Sequence, residues 1–262
     1  AEFLSDNLGM ILPIALATIF VPAAISGNLT ELQQGASPGL AFGLGLASLV
    51  LAVVTFWGQL AITALALDPA LGKGAARVAT RRLPAALLVT ILLLLAMLVL
   101  AIPLGVIMAA SGGDLSGTAT GAMPEVPPAA ALWVTLYVLI LLPVLLWLAA
   151  RLAVVLPAIV ADRLMLGAIP RSWRLTRGTA FKIIGVLLLY GIVATVAYLA
   201  ATTAFGAIIT LIAGREAGLS LASVLTVIVG GAVSTAFTVL GTAFVAKLYL
   251  ALRARNEAAA AQ

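Results

Sequence analysis

Arg171, Arg174 and Arg177 recur at every third residue in the run Ile169-Pro170-Arg171-Ser172-Trp173-Arg174-Leu175-Thr176-Arg177-Gly178-Thr179. A guanidinium is planar, permanently charged and rich in donors, so it can grip two oxygens of one phosphate at once. On a helix begun at Pro170, positions i, i+3 and i+6 fall along one side, and Ile169 and Trp173 share another. Gly178 is placed to end that helix and Thr179 to cap the next. A short basic amphipathic helix with a Trp belongs at the headgroup level of a bilayer. A parallel stripe occurs over 70–83, where Lys73, Arg77 and Arg81 recur at i, i+4 and i+8, with Leu71, Val78 and Leu83 elsewhere around the helix. Arg151, Arg163 and Lys182 flank the first run. Together with Trp173, these basic residues are the candidates for holding an anionic lipid headgroup or another phosphate-bearing ligand. The plainer reading is that they set topology and snorkel to lipid phosphates without selectivity.

Other chemistries lack their residues. The chain has no histidine and no cysteine, which removes the commonest general base, the commonest metal ligand, thiol nucleophiles and disulfides. Serines and threonines are present, but no triad base accompanies them, and no pair of carboxylates is spaced for acid–base work. Neither a phosphate-cradling Gly loop with Lys nor a metal-ligand cluster occurs. The expectation is a non-enzymatic protein without cofactor or metal.

The elements that must carry these residues are membrane spans. Of 262 residues, 64% are hydrophobic and 9% charged, against about a quarter charged in soluble domains; the mean hydropathy is +1.25. A spanning helix needs roughly 20 apolar residues. Six windows qualify, at about 8–26, 39–67, 84–110, 129–150, 181–213 and 219–246, giving an all-α polytopic protein with a single six-span domain and interfacial amphipathic helices on its cytoplasmic side. Pro84 is read as a helix start. Pro13, Pro22, Pro103 and Pro143 lie inside spans, where each removes a backbone donor and favours a kink. The apolar stretch 152–161 is surplus to the fourth span, so it lies in the interface or in a protein-covered groove.

Thirteen of the 14 basic residues fall in alternate connections: 68–83, 151–182 and the segment after span six. The opposite connections, about 27–38, 111–128 and 214–218, hold only Arg215, beside Glu31, Asp114, Glu125 and Glu216. By the positive-inside rule both termini and the basic segments are cytoplasmic. The connection 111–128, rich in Gly, Ser, Thr and Pro, reads as a solvated loop. Glu2 and Asp6 stand where a signal peptide would be basic, so residues 1–26 do not read as one. The net charge of +5 is explained by topology and headgroups; with no soluble reading domain, nucleic acid is not an expected partner.

Within the spans, Gly39 and Gly43 form a small-xxx-small pair, and Gly230, Ser234, Thr238 and Thr242 form a ladder along span six. Such rows let helices approach and hydrogen-bond; the alternative is that they line a polar cavity. Gln59 is the one strongly polar side chain in mid-span. No acid or base lies deep in a span, which weighs against a proton- or ion-coupled carrier.

The order Arg151, Leu156-Pro157-Ala158-Ile159-Val160, Arg171-Ser172-Trp173-Arg174-Leu175-Thr176-Arg177-Gly178, Phe181 and the closing Leu248-Tyr249-Leu250-Ala251-Leu252-Arg253 resembles the bacterial glycerophosphoryl diester phosphodiesterase membrane-domain-like proteins. Pro170 departs from that pattern, which has a basic or helix-favouring residue there. The resemblance concerns the membrane region only; this sequence carries no hydrolase domain and no histidines for one. It implies a helical protein of the bacterial inner membrane, linked to lipid or envelope organisation, acting alone, as a homo-oligomer or with a partner membrane protein. A permease-like transporter, or a membrane subunit of one, is the alternative.

Overall fold

The computed structural model describes residues 7–33, 36–113, 126–213 and 221–260, and these are helical with no strand among them. Six helical stretches are long and apolar enough to cross a membrane: Leu8–Leu29, Pro38–Leu67, Gly74–Ala110, Pro128–Ala161, Ala180–Ile209 and Val224–Ala258. The chain is therefore an all-α polytopic membrane protein. Sequence neighbours pack side by side around a ring, span one closes against span six, and span six also leans on span two.

Span one is built from α1 (Leu8–Ala15), a π-helical turn (Leu16–Phe20) and α2 (Val21–Gln33). The π-turn sits between Pro13 and Pro22, whose missing N–H groups break the ordinary ladder on either side. Inside it, Thr18 donates its hydroxyl to the Ile14 carbonyl at 2.7 Å. Helix α2 runs on to Gln33, so the connection expected over 27–38 is largely helical.

Span two is α3 (Pro38–Leu67), begun by a proline at its first position, where no intrahelical donor is needed. It ends in a 3₁₀ turn, Pro69–Leu71, with Asp68 accepting the Ala70 N–H at 3.1 Å. The third span is α4 (Gly74–Ala110), 37 residues without interruption, about 55 Å at 1.5 Å per residue. That length exceeds a hydrocarbon core of about 30 Å, so its first turns stand clear of it. This corrects the expected helix start at Pro84 and the separate interfacial helix over 70–83. Pro84 is interior, and the Lys73, Arg77 and Arg81 stripe rides on the same helix. Burial explains the continuity: Ala75, Ala79 and Ala86 are fully enclosed, and this packing outweighs the donor lost at Pro84.

The fourth span, α5 (Pro128–Leu152), stops in a two-residue turn and is followed by α6 (Val155–Ala161), whose Val155, Pro157, Ala158, Ile159 and Val160 are buried. Of the two expectations for 152–161, the protein-covered groove holds. Helix α7 (Ala168–Leu175) follows, then α8 (Ala180–Ala213) as span five and α9 (Leu221–Ala260) as span six.

The core occupies one end of the bundle. Leu60, Ile62, Leu65, Val89, Ile159, Leu175 and Tyr249 are enclosed there, and the three basic segments lie at the same end; we call it the basic end. Away from it, residues 94–99 of α4 are exposed in succession. Apolar surface of that extent, such as Leu94, Leu98, Leu139 and Ile140, is what acyl chains cover. The loop segment 114–125, Arg215 and residues 219–220 lie outside the described residues.

One of the two small-residue rows does not mark a close helix crossing. Nothing lies within 4 Å of a Cβ placed on Gly39 or Gly43, so that pair makes no contact. Gly58 makes one instead: a Cβ there would stand 1.9 Å from the Thr18 Oγ1 of span one.

Candidate functional site

The basic end is stitched together around Arg151. Where α5 ends, the Arg151 carbonyl loses its helical partner and accepts the Ser172 hydroxyl at 2.7 Å and, more weakly, the Thr176 hydroxyl at 3.5 Å. Its guanidinium lies 5.3 Å from the centroids of both Trp147 and Trp173, within cation–π range. The two rings meet edge to face at 5.0 Å, and Arg151 Nη1 donates to the Trp173 carbonyl at 3.3 Å. Arg151 and Trp173 are thus committed to a clamp between α5 and α7.

Helix α7 does not carry three arginines in a row. It ends at Leu175, and Arg177 lies in the following turn, which Gly178 closes at φ +80°. Arg171 pairs with Asp162 at 3.0 Å. Arg174 and Arg177 are exposed, and the Arg177 carbonyl accepts from Arg255 at 3.4 Å. Thr179 precedes α8, but its hydroxyl donates backward to the Thr176 carbonyl at 3.2 Å. Lys182 opens span five on the surface, and Lys73 and Arg77 are exposed along α4.

What the fold brings together is a different set. Arg81 and Arg82 from α4, Arg163 from the turn after α6, and Arg253 from α9 line one pocket of about 400 Å³, with Asp68 as its acid and Leu67, Val78 and Leu250 among its apolar walls. Arg163 has φ +56°, a left-handed conformation seldom adopted by long side chains. That turn directs Asp162 one way, toward Arg171 and Arg253 (3.0 and 3.9 Å), while Arg163 lines the pocket. Arg253 also holds Glu257 at 2.8 Å. None of the ion pairs among the described residues involves Arg81, Arg82 or Arg163. A partly enclosed cleft with this charge excess concentrates anions.

Two of these four, Arg81 and Arg163, are visible in the sequence as candidates. Arg82 sits off the i, i+4 stripe, and Arg253 is remote in sequence; only the packing of α9 against α6 and α7 delivers it.

A second cavity, about 540 Å³ and open on one side, lies farther into the bundle between spans two, five and six. Ser234, Thr238 and Thr242 of the span-six ladder line it together with Gln59, Thr63, Tyr190 and Tyr198, and α6 contributes Leu156 and Pro157. Of the two readings of the ladder, the cavity is realised for these three residues. Gly230 instead receives Tyr198, whose ring would be 3.0 Å from an added Cβ. Among the described residues no group of three acids, histidines or cysteines is placed to hold a metal ion.

Compared with protein-family models, curated proteins and solved structures, the chain matches none.

Proposed function

We propose that this chain is a non-enzymatic, multi-pass protein of a bacterial inner membrane that holds anionic, phosphate-bearing headgroups in the arginine pocket at its basic end, with that end and both termini facing the cytoplasm. The observation that carries this reading is the meeting of Arg81, Arg82 and Arg163, none of them ion-paired to a described residue, around one pocket of about 400 Å³. Near an anionic leaflet each basic residue contributes about 1 kcal/mol. Three together give roughly 3 kcal/mol, on the order of 100-fold in lipid preference. The charge bias between alternate connections supports the orientation. The resemblance to the membrane region of glycerophosphoryl diester phosphodiesterase membrane-domain-like proteins supports a role in lipid or envelope organisation, alone, as an oligomer or beside a partner.

The test is native mass spectrometry of the protein from phosphatidylcholine nanodiscs containing phosphatidic acid. Wild type retains phosphatidic acid in preference to phosphatidylcholine, and an R81Q/R82Q/R163Q variant loses that preference. Equal retention of both lipids by wild type overturns the reading.

The second cavity favours one other reading, a permease-like transporter. Spans five and six present a polar row to it, as a solute path requires.

A further inference from the structure

The cavity between spans two, five and six has a hydrogen-bonding character that selects its ligand. Thr63 donates to the Gln59 carbonyl at 2.7 Å, Thr238 to Ser234 at 2.8 Å and Thr242 to Thr238 at 2.7 Å. Tyr190 donates to the Phe237 carbonyl, an approach across span six made possible by Gly241, where an added Cβ would stand 3.0 Å from the tyrosine hydroxyl. With those protons engaged by backbone carbonyls, the four oxygens keep acceptor lone pairs. Gln59 supplies an amide with both donors and an acceptor. Among the described residues no charged side chain lines the cavity.

These facts sort ligands by chemistry. An anion and a cation would alike be left without a counter-charge in a low-dielectric site. A neutral group bearing its own hydroxyl donors completes the bonds on offer. Thr195, Tyr198 and Ser234 add further hydroxyls, the other walls, including Leu156, Leu199, Phe237 and Val245, are apolar, and about 540 Å³ lies within the roughly 300–1,000 Å³ usual for a small-molecule site. Tyr190 is ten residues into α8, roughly 15 Å of helix, which is about half of a 30 Å hydrocarbon core. Spans two and five line the cavity from separate helices, and each packs on span six. Among the described residues, spans two and five have no contact prominent enough to close the cavity between them, so an opening there would face the bilayer.

We propose that this cavity is a binding site for an uncharged, hydroxyl-bearing lipid headgroup, entered laterally between spans two and five. It is independent of the arginine pocket, which takes the opposite chemistry. A free polyol shares the same hydrogen-bonding pattern, and the test separates the two sources.

The probe is a diacylglycerol carrying a photoreactive group near its headgroup, incorporated in phosphatidylcholine nanodiscs with the full chain, against a phosphatidic acid carrying the same group and acyl chains. The expected result is labelling by diacylglycerol of peptides within 190–199 and 233–245, at least tenfold above that by phosphatidic acid. The T238V/T242V variant keeps side-chain shape and loses the label about tenfold, while T238S/T242S, which restores both hydroxyls, regains it. The Ser pair keeps the result interpretable if the Val pair folds poorly. Competition by unlabelled diacylglycerol but not by millimolar glycerol supports the lipid source, whereas equal competition by glycerol overturns it in favour of a free polyol. Equal labelling by both lipids, or labelling unchanged by the Val pair in a monodisperse protein, overturns the site.

Discussion

The buried hydroxyl of Ser172 donates to the backbone carbonyl of Arg151 at 2.7 Å, across 21 positions of sequence. The bond satisfies a carbonyl that α5 abandons when it stops at Leu152, and it docks α7 onto the end of span four. Removing one partner of a buried hydrogen bond costs about 1–3 kcal/mol. Ser172→Ala is expected to lower the melting temperature of the purified protein by several degrees in a detergent thermal-shift assay, and Ser172→Val, which adds bulk at a fully buried site, to lower it further.

Gly58 and Thr18 mark the tightest helix crossing described, with 1.9 Å between a Cβ at 58 and the threonine hydroxyl. Gly58→Ala is expected to destabilise the fold by about 1–3 kcal/mol through overpacking. Thr18→Ala in the same chain removes the hydroxyl clash and leaves the Cβ contact at 2.6 Å. Unfolding of the double variant should therefore show partial, not full, recovery.

Orientation is checked most directly by cysteine labelling, because the chain has no cysteine of its own. Single substitutions Thr118→Cys and Arg174→Cys are expected to react with an impermeant maleimide from opposite sides of sealed membrane vesicles. Reaction of both from one side would end the proposed topology.

Arginines outside the pocket and those lining it should separate functionally. Replacing Arg174 and Arg177 with Lys is expected to leave phosphatidic acid retention unchanged, since neither lines the pocket. The same exchange at Arg81, Arg82 and Arg163 keeps the charge but removes the planar fork. Native mass spectrometry should show intermediate retention, between wild type and the Gln variant.

Glycerophosphodiester hydrolysis is not expected. With no histidine in the sequence and no metal-holding group among the described residues, purified protein should release no more product than membranes carrying empty vector. Turnover abolished by a point substitution in this chain would refute this.

Spans were legible because their signal is additive: each needs only a long apolar window, and no single residue decides it. Their ends were less so. Pro84 looked like a start because local rules put proline at a first turn, yet Ala75, Ala79 and Ala86 bury against neighbouring helices and carry the helix past it. The arginine triplet misled for a similar reason. Its spacing is helical, but α7 stops at Leu175 and leaves Arg177 in the turn that Gly178 closes, while Asp162, nine residues before Arg171, captures Arg171. The pocket arginines could not be grouped from the sequence, because Arg82 and Arg253 meet only through tertiary packing. The span-six ladder was legible as polar, and Ser234, Thr238 and Thr242 do share a cavity. The Gly39 and Gly43 pair had an equally good pattern and contacts nothing.

Tyr249, fully enclosed at the basic end, and Arg253, beside Asp162, both arrive on α9, the last helix to be synthesised among those described. Until it emerges, the core at the basic end lacks the Tyr249 ring, and Asp162 has Arg171 alone. Biogenesis of this protein therefore has a late committing step. Chains stalled before residue 249 should remain loosely assembled in the bilayer and open to quality-control proteases, and the basic end should lock only once the sixth helix is laid in.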